Sequence, residues 1–269
     1  MFSKEQLDRY ARHIILPGVG ASGQRRLLDS SVLVVGAGGL GSPVLLYLAA
    51  AGVGRLGIAD FDTVEASNLQ RQIIHDSLAV GTPKTASAGA RISRLNPEVE
   101  VTLHEEKLEA ASAPDTIKAY DLVVDGSDNF ATRYLVNDLC VLNGKPLVYG
   151  AIAAFEGQLS LFHAPDARGT LGPCYRCLFP EPPPAGSVAN CAEAGVFGAL
   201  PGVIGSMMAV ETIKTLVGLG ETLAGKLVHY DALYSEVRTV TVARQPDCAV
   251  CGEAPSIVAP VDYEAFCGS

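Results

Sequence analysis

A glycine-rich turn near the start of the chain is the first feature that could do chemistry. Residues 36–41 read GAGGLG, a G-x-G-x-x-G that follows the apolar run Val32–Val35. Its glycines are Gly36, Gly38, Gly39 and Gly41. Glycines let such a turn approach a phosphate closely, and the helix that follows supplies unpaired N–H groups. Asp60 ends the next predicted strand, where a carboxylate can hydrogen-bond a ribose. By themselves these features favour an NAD-dependent oxidoreductase.

Polar residues further along the chain favour a triphosphate instead. Asn68 and Arg71 lie three residues apart, so on a helix they would share a face. Arg71 can clamp phosphate oxygens with two hydrogen bonds, and Lys84 adds a second cation. Asp128 follows a buried strand, at the sheet edge where doubly wound folds bind ligands, and its carboxylate can hold Mg²⁺. Each residue alone is more often a solvated charge or a turn residue, so the prediction rests on the set.

Four of the seven cysteines form two C-x-x-C pairs. They are Cys174, Cys177, Cys248 and Cys251. One such pair alone could be redox-active, but two supply the four thiolates of a tetrahedral structural zinc. We therefore predict a closed zinc site without a catalytic role. Cys140 and Cys267 are interpreted as structural or incidental.

Strands and helices must position these residues, and alternating patterns in the sequence indicate where those elements lie. Between residues 31 and 152 they predict an α/β fold, a Rossmann-like doubly wound and mainly parallel sheet preceded by N-terminal helices. Residues 157–163, 226–232 and 236–245 alternate with period two, which predicts antiparallel strands extending that sheet. A single domain over residues 1–269 is expected. Its predicted parts are the N-terminal helices (1–30), a nucleotide-binding core (31–152), a zinc-containing antiparallel extension (153–252) and a tail (253–269).

Charge and apolar patterning indicate which kinds of partner and which compartment to expect. The net charge is −9 and no basic stripe is visible, which argues against a nucleic-acid partner. The longest apolar stretch, Val196–Val210, contains Pro201 and is too short to span a membrane, so we expect a buried helix and no membrane partner. The N-terminal residues lack the apolar segment of a secretory signal, which predicts the cytoplasm.

The sequence resembles the ThiF/MoeB/HesA family, bacterial relatives of ubiquitin-activating enzymes. The resemblance covers roughly residues 5–252, and several motifs agree in order and spacing. The matching stretches are RYARHIILPGVG (9–20), VLVVGAGGLGSP (32–43), GVGRLGIADFDTVEASNLQRQ (52–72), VGTPK (80–84), DLVVDGSDNFATRYLVND (121–138), GPCYRCLFP (172–180), CAEAGVFG (191–198) and CAVCG (248–252).

The resemblance implies that the protein adenylates the C-terminal Gly-Gly carboxylate of a ubiquitin-like sulfur-carrier protein. The carrier would then form a thiocarboxylate for molybdopterin synthesis, thiamine synthesis or tRNA thiolation. The four glycines would lie against ATP, Asp60 would hold the ribose and Asp128 would bind Mg²⁺. Asn68, Arg71 and Lys84 would contact the phosphates. Since members of this family are homodimers, Arg12 would reach the partner protomer's phosphates; without the resemblance, Arg12 is interpreted as a salt-bridged residue on an amphipathic helix.

Several alternatives stay open from the sequence. Cys191 lies where some relatives have a cysteine that attacks the acyl-adenylate or carries a persulfide, but it can equally be a loop thiol without a role. Because the chain stops before a rhodanese domain, we expect an external sulfur donor. The competing functions are an NAD-dependent oxidoreductase, a non-catalytic scaffold that holds a carrier, and a tRNA-modifying enzyme. The sequence does not identify the carrier.

Overall fold

The computed structural model describes residues 2–166, 168–183 and 195–263. Its strands are β1 (Ser31–Val35), β2 (Arg55–Ala59), β3 (Glu100–His104), β4 (Leu122–Asp125), β5 (Leu147–Ala153), β6 (Glu156–Phe162), β7 (Lys226–Asp231) and β8 (Glu236–Thr241). They form one eight-stranded sheet in the order β3-β2-β1-β4-β5-β6-β7-β8. The pairs from β3 to β5 are parallel and those from β5 to β8 are antiparallel. The predicted fold class, with its antiparallel extension, is confirmed.

Helices cover the sheet and precede it. They are α1 (Lys4–Ile14), α2 (Gly20–Asp29), α3 (Gly41–Ala51), α4 (Lys84–Leu95), α5 (Ala113–Lys118), α6 (Phe130–Leu142), α7 (Tyr175–Leu178) and α8 (Leu200–Val217). Two short 3-10 turns lie at Ala66–Asn68 and Ser77–Ala79. The two helices expected before β1 are present, and the Ser3 side chain caps the first of them by accepting from the Gln6 N–H at 3.1 Å.

The core forms on both faces of the parallel strands. Every residue of β1 is buried, as are all residues of β4, which is why these strands appear in the sequence as uninterrupted apolar runs. The register pairs Val35 of β1 with Ala59 of β2 and with Asp125 of β4. All three strands therefore end at the same edge of the sheet.

Helix α8 is long and apolar enough to cross a membrane, judged by length and composition alone. Half of it is buried, and it packs against α3, β5 and β6. Its Glu211 is buried and accepts hydrogen bonds from Lys214 Nζ (2.9 Å) and from the Leu223 N–H. A buried, fully bonded carboxylate on a helix that packs on the sheet identifies α8 as a core helix, as the sequence predicts.

The end of β8 differs from the sequence prediction. The alternating pattern predicts a strand up to residue 245, whereas β8 ends at Thr241. Beyond it the chain turns towards the second cysteine pair, where Arg244 Nε donates to the Cys251 carbonyl at 2.9 Å. The Gln245 N–H donates to Cys177 Sγ at 3.4 Å. These backbone and side-chain groups are therefore used by the cysteine cluster rather than by the sheet.

Candidate active site

A cleft opens at the carboxyl ends of β1, β2 and β4, the position where doubly wound sheets bind ligands. Many of the residues singled out from the sequence line it. The lining includes Gly36, Gly38, Gly39, Asp60, Asp62, Arg71, Gln72, Lys84, Lys107, Ser127, Asp128, Asn129 and Arg133. Two buried polar atoms on its wall, Gln72 Oε1 and Arg133 Nε, have no hydrogen-bond partner in the described part of the chain. Such atoms are expected where a polar ligand completes the surface.

The glycine turn joins β1 to α3, and its backbone is packed so closely that side chains have little room. Gly36 has a φ of 90°, in the left-handed region that favours glycine. A Cβ on Gly41 would lie 1.8 Å from the Gly36 carbonyl oxygen, so that position admits no side chain. The Gly36 N–H donates to the Ala59 carbonyl of β2 at 2.8 Å, which fixes the turn to the sheet.

We expect Gly41→Ala to disrupt the turn, because its new methyl group would collide with backbone rather than with a movable side chain. The turn must then open, at a cost of about 2 kcal/mol or more of stability. Chemical denaturation measures that loss, and isothermal titration measures the accompanying loss of ATP affinity. Gly202→Ala is the matched control: it also lies on a helix and has no positive φ, but a Cβ there meets no atom within 4 Å. Equal ATP affinity in both variants would contradict the importance of the turn.

The Asp60 carboxylate is fixed at the base of the cleft. Its Oδ2 accepts from the Ala37 N–H of the glycine turn at 2.8 Å, and its Oδ1 accepts from the Asp62 N–H at 2.9 Å. Burial raises the pKa of the Asp60 carboxyl, while the Lys84 charge and both N–H donors oppose that rise. Each oxygen keeps one further lone pair that can face a ligand.

Arg71 reaches the cleft from the segment between β2 and α4, and Lys84 reaches it from the first position of α4. A Cβ on Gly39 would lie 3.7 Å from Arg71 Cγ, so this side chain runs alongside the glycine turn. Its Nη1 donates to the Ser67 carbonyl at 3.3 Å. Lys84 begins α4 and is buried, and its Nζ lies 2.8 Å from Asp62 Oδ2. The cleft thus contains the two cations predicted from the sequence, each with a protein partner.

Asn68 and Arg12 are not among the residues that line the cleft. The segment at Asn68 forms only a single 3-10 turn, and the Asn68 side chain is used locally: its Oδ1 accepts from the Glu65 N–H at 3.2 Å. Arg12 is exposed in the last turn of α1. The phosphate contacts of these two residues stay predictions.

Asp128 lies at the mouth of the cleft, immediately before α6. Asn129 caps that helix, since its Oδ1 accepts from the Thr132 N–H at 2.8 Å. The Asp128 side chain is exposed and lines the cleft, so it can offer a carboxylate oxygen to a ligand there. An oxygen ligand of this kind fits Mg²⁺.

Two charged residues close to Asp128 along the chain are not singled out by the sequence patterns. Asp125 is buried at the end of β4, and its Oδ1 accepts from the Ser127 N–H at 2.9 Å. Arg133 donates from Nη2 to the Ser127 carbonyl at 3.0 Å, and its charge opposes the rise in the Asp125 pKa caused by burial. Together they hold both peptide groups of Ser127, next to Asp128. The sequence signal for Asp125 is an acidic residue at the end of an apolar strand, because a buried carboxylate requires a partner.

The four paired cysteines come from two segments that are distant in sequence, and they form one cluster in the structure. Their sulfur atoms all lie within 4.8 Å of one another, and all four residues are buried. The sulfurs of Cys174 and Cys248 are 3.6 Å apart, and those of Cys177 and Cys251 are 3.4 Å apart. Four thiolates bound to zinc at about 2.3 Å would be separated by just under 4 Å, so the donor set and its size fit zinc.

The remaining cysteines carry no assignment from the structure. Cys140 is buried on α6, and burial raises the pKa of its thiol well above the ordinary value, which suits a structural residue. Cys191 and Cys267 lie outside the described residues. The role of Cys191 therefore stays open.

Comparisons with known proteins identify the family. The family model described as "ThiF family" matches residues 10–250. The chain belongs to the ThiF family. It is 57% identical over 267 residues to the Thermus thermophilus protein named "Sulfur carrier protein adenylyltransferase", covering 99% of this chain and 98% of that protein. It is 51% identical to the "SAMP-activating enzyme E1" of Haloferax volcanii, covering 97% of this chain and 95% of that protein.

Other ThiF-family relatives are longer, and solved structures share the fold. "Adenylyltransferase and sulfurtransferase MOCS3" of Bos taurus is 50% identical, and the match covers 99% of this chain but 58% of that protein. The crystal structure titled "E. coli MccB + ATP" superposes with a TM-score of 0.77 at 23% identity, covering 91% of this chain and 74% of MccB. That similarity shows the shared fold, and the resemblance predicted from the sequence motifs is confirmed by the family match.

Proposed function

We propose that this chain uses ATP to adenylate the C-terminal carboxylate of a ubiquitin-like sulfur-carrier protein. The observation that carries the proposal is the convergence of a glycine turn, two cations and two carboxylates on one cleft of a ThiF-family chain. The names of its relatives, sulfur carrier protein adenylyltransferase and SAMP-activating enzyme E1, support this substrate class. They do not favour an NAD-dependent oxidoreductase.

The reaction joins two anions, so the main obstacles are charge repulsion and orientation. A carboxylate oxygen of the carrier attacks the α-phosphorus of ATP, the bond between that phosphorus and the bridging oxygen breaks, and pyrophosphate leaves. The attacking group is already ionised, so no general base is needed. Arg71 and Lys84 neutralise the triphosphate and the leaving pyrophosphate, which makes catalysis a matter of positioning and electrostatics.

The site residues take the following proposed roles. Gly36, Gly38, Gly39 and Gly41 let the turn approach ATP, and Asp60 holds the ribose. Asn68, Arg71 and Lys84 contact the phosphates, joined by Arg12 from the partner protomer of a homodimer. Asp128 holds Mg²⁺, and the bound metal would neutralise phosphate charge. We propose that Cys191 attacks the acyl-adenylate or carries a persulfide, while Cys174, Cys177, Cys248 and Cys251 hold a structural zinc.

The proposed context is a cytoplasmic thiocarboxylate pathway. The carrier ends in Gly-Gly, and its sulfur comes from a separate sulfurtransferase or desulfurase. Molybdopterin synthesis, thiamine synthesis and tRNA thiolation all use carriers of this kind.

The proposal is tested by incubating the protein with ATP, Mg²⁺ and candidate carriers that end in Gly-Gly. We expect a carrier acyl-adenylate, detected by mass, and carrier-dependent exchange of pyrophosphate into ATP. The matched control is the same carrier without its last two glycines, which should give neither product. A thermal-shift comparison of ATP with NAD tests the alternative. Stabilisation by NAD alone, with no acyl-adenylate from any carrier, would overturn the proposal.

A further inference from the structure

The ion pair between Lys84 and Asp62 is not explained by the roles given above. Lys84 Nζ donates to Asp62 Oδ2 at 2.8 Å, and the Lys84 N–H donates to the Asp62 carbonyl at 2.9 Å. The lysine side chain is 8% exposed, whereas the aspartate side chain is 52% exposed. Asp62 is thus the water-facing partner of a nearly buried ammonium group, and both residues line the cleft.

The charges around this ammonium show why the pair forms. Charged or titratable groups around it include Asp60, Asp62 and His75: burial raises the Asp60 pKa and Lys84 opposes that rise, whereas burial lowers the His75 pKa and Lys84 adds to that lowering. Asp60 is already held by two N–H donors, and His75 is bonded to Ser87 Oγ and to the Ala37 carbonyl. Only Asp62 among these groups has a carboxylate within ion-pair distance of Nζ in the described structure. A buried ammonium without such a partner is strongly disfavoured.

We propose that Asp62 is a positioning residue that holds Lys84 in the cleft and competes with the triphosphate for its ammonium group. This inference rests on the proposed nucleotide site. When ATP binds, its phosphate oxygens replace Asp62 Oδ2 as the partner of Nζ, and the exposed Asp62 carboxylate returns to water. The side chain of Lys84 stays near the phosphates throughout, because its backbone is tied to the Asp62 carbonyl.

The proposed competition predicts the direction in which ATP affinity changes when Asp62 loses its charge. Asp62→Asn keeps the shape of the side chain and removes its charge, so ATP no longer displaces an ionic partner. Since pairs with one exposed member are weak, we expect ATP affinity to rise by about two- to fivefold. The affinity for adenosine, which has no phosphate, should not change. The melting temperature without nucleotide should fall, because Lys84 loses its partner.

The experiment measures ATP and adenosine binding by calorimetry without any carrier protein. Lys84→Met and the double variant complete the cycle: in the Lys84→Met background, Asp62→Asn should no longer affect ATP affinity. Glu221→Gln, which breaks the exposed pair between Glu221 and Lys226 at 3.1 Å, is the matched control and should bind ATP like the wild type.

Unchanged or weaker ATP binding by Asp62→Asn overturns the inference; weaker binding would mean that Asp62 contacts the nucleotide or its metal. This failure is distinct from failure of the proposed function. If the wild type binds ATP but forms no acyl-adenylate with any carrier, the proposed reaction is wrong while the competition stands. If the wild type binds no ATP, both are wrong.

Discussion

We expect Arg71→Ala to reduce carrier-dependent exchange of pyrophosphate into ATP by about 10²- to 10³-fold, the usual cost of removing one group that stabilises developing charge. The aliphatic part of the Arg71 side chain passes the glycine turn, and the hydrogen bond from its guanidinium to the Ser67 carbonyl, at 3.3 Å, is long enough to be exchanged for a phosphate oxygen. Its positive charge is needed most when the pyrophosphate separates. Arg71→Lys should recover only part of the loss, since lysine cannot form two parallel bonds.

Asp128→Ala should cause a loss of similar size with a different dependence on Mg²⁺. If the carboxylate holds the metal, raising the Mg²⁺ concentration recovers part of the exchange by Asp128→Asn but none of the loss in Arg71→Ala. Arg91→Ala and Asp115→Asn are suitable controls, because both residues are exposed on helices and neither lines the cleft. Near-normal exchange in both Arg71→Ala and Asp128→Ala would defeat the assignment of the site.

The parallel half of the fold and its cleft follow from local features of the sequence. Strands buried on both faces must be apolar along their whole length, so β1 and β4 are visible as short runs of valine and leucine. Their parallel register then brings Asp60 and Asp128 to one edge of the sheet. The glycine turn is equally visible, because the position of Gly41 admits no other residue.

Side-chain contacts across the cleft cannot be predicted from sequence periodicity, because they join residues without regular spacing along the chain. On a helix Asn68 would share a face with Arg71, but the segment forms only one 3-10 turn, and the Asn68 side-chain oxygen accepts from the Glu65 N–H. The Lys84–Asp62 pair joins residues on either side of an irregular segment, where periodicity gives no signal.

The short helices α5 and α7 were missed because neither is long enough to show a helical period.

Removal of the proposed zinc is the second change with a large expected effect, and it should destabilise the chain rather than alter the chemistry. The cluster joins residues 74 positions apart, tying α7 to the segment after β8. Between its first two cysteines lies Arg176, whose guanidinium donates to Asp138 of α6 at 2.8 and 3.1 Å. Tyr263 completes this buried group, since Arg176 Nη2 donates to its hydroxyl at 2.7 Å. Loss of the metal would therefore loosen both the cysteine turns and the tail.

We expect one zinc per chain, and Cys248→Ser should lose it and lower the melting temperature by roughly 10 °C, because structural zinc contributes several kcal/mol. Cys140→Ala is the matched control: that cysteine is also buried, but it lies outside the cluster, so its variant should keep a full zinc content. Re-addition of zinc should restore the chelator-treated wild type and not Cys248→Ser. A wild-type preparation with intact thiols and no zinc would refute the assignment, whereas a metal-dependent melting temperature with unchanged ATP affinity would place the role of zinc in folding alone.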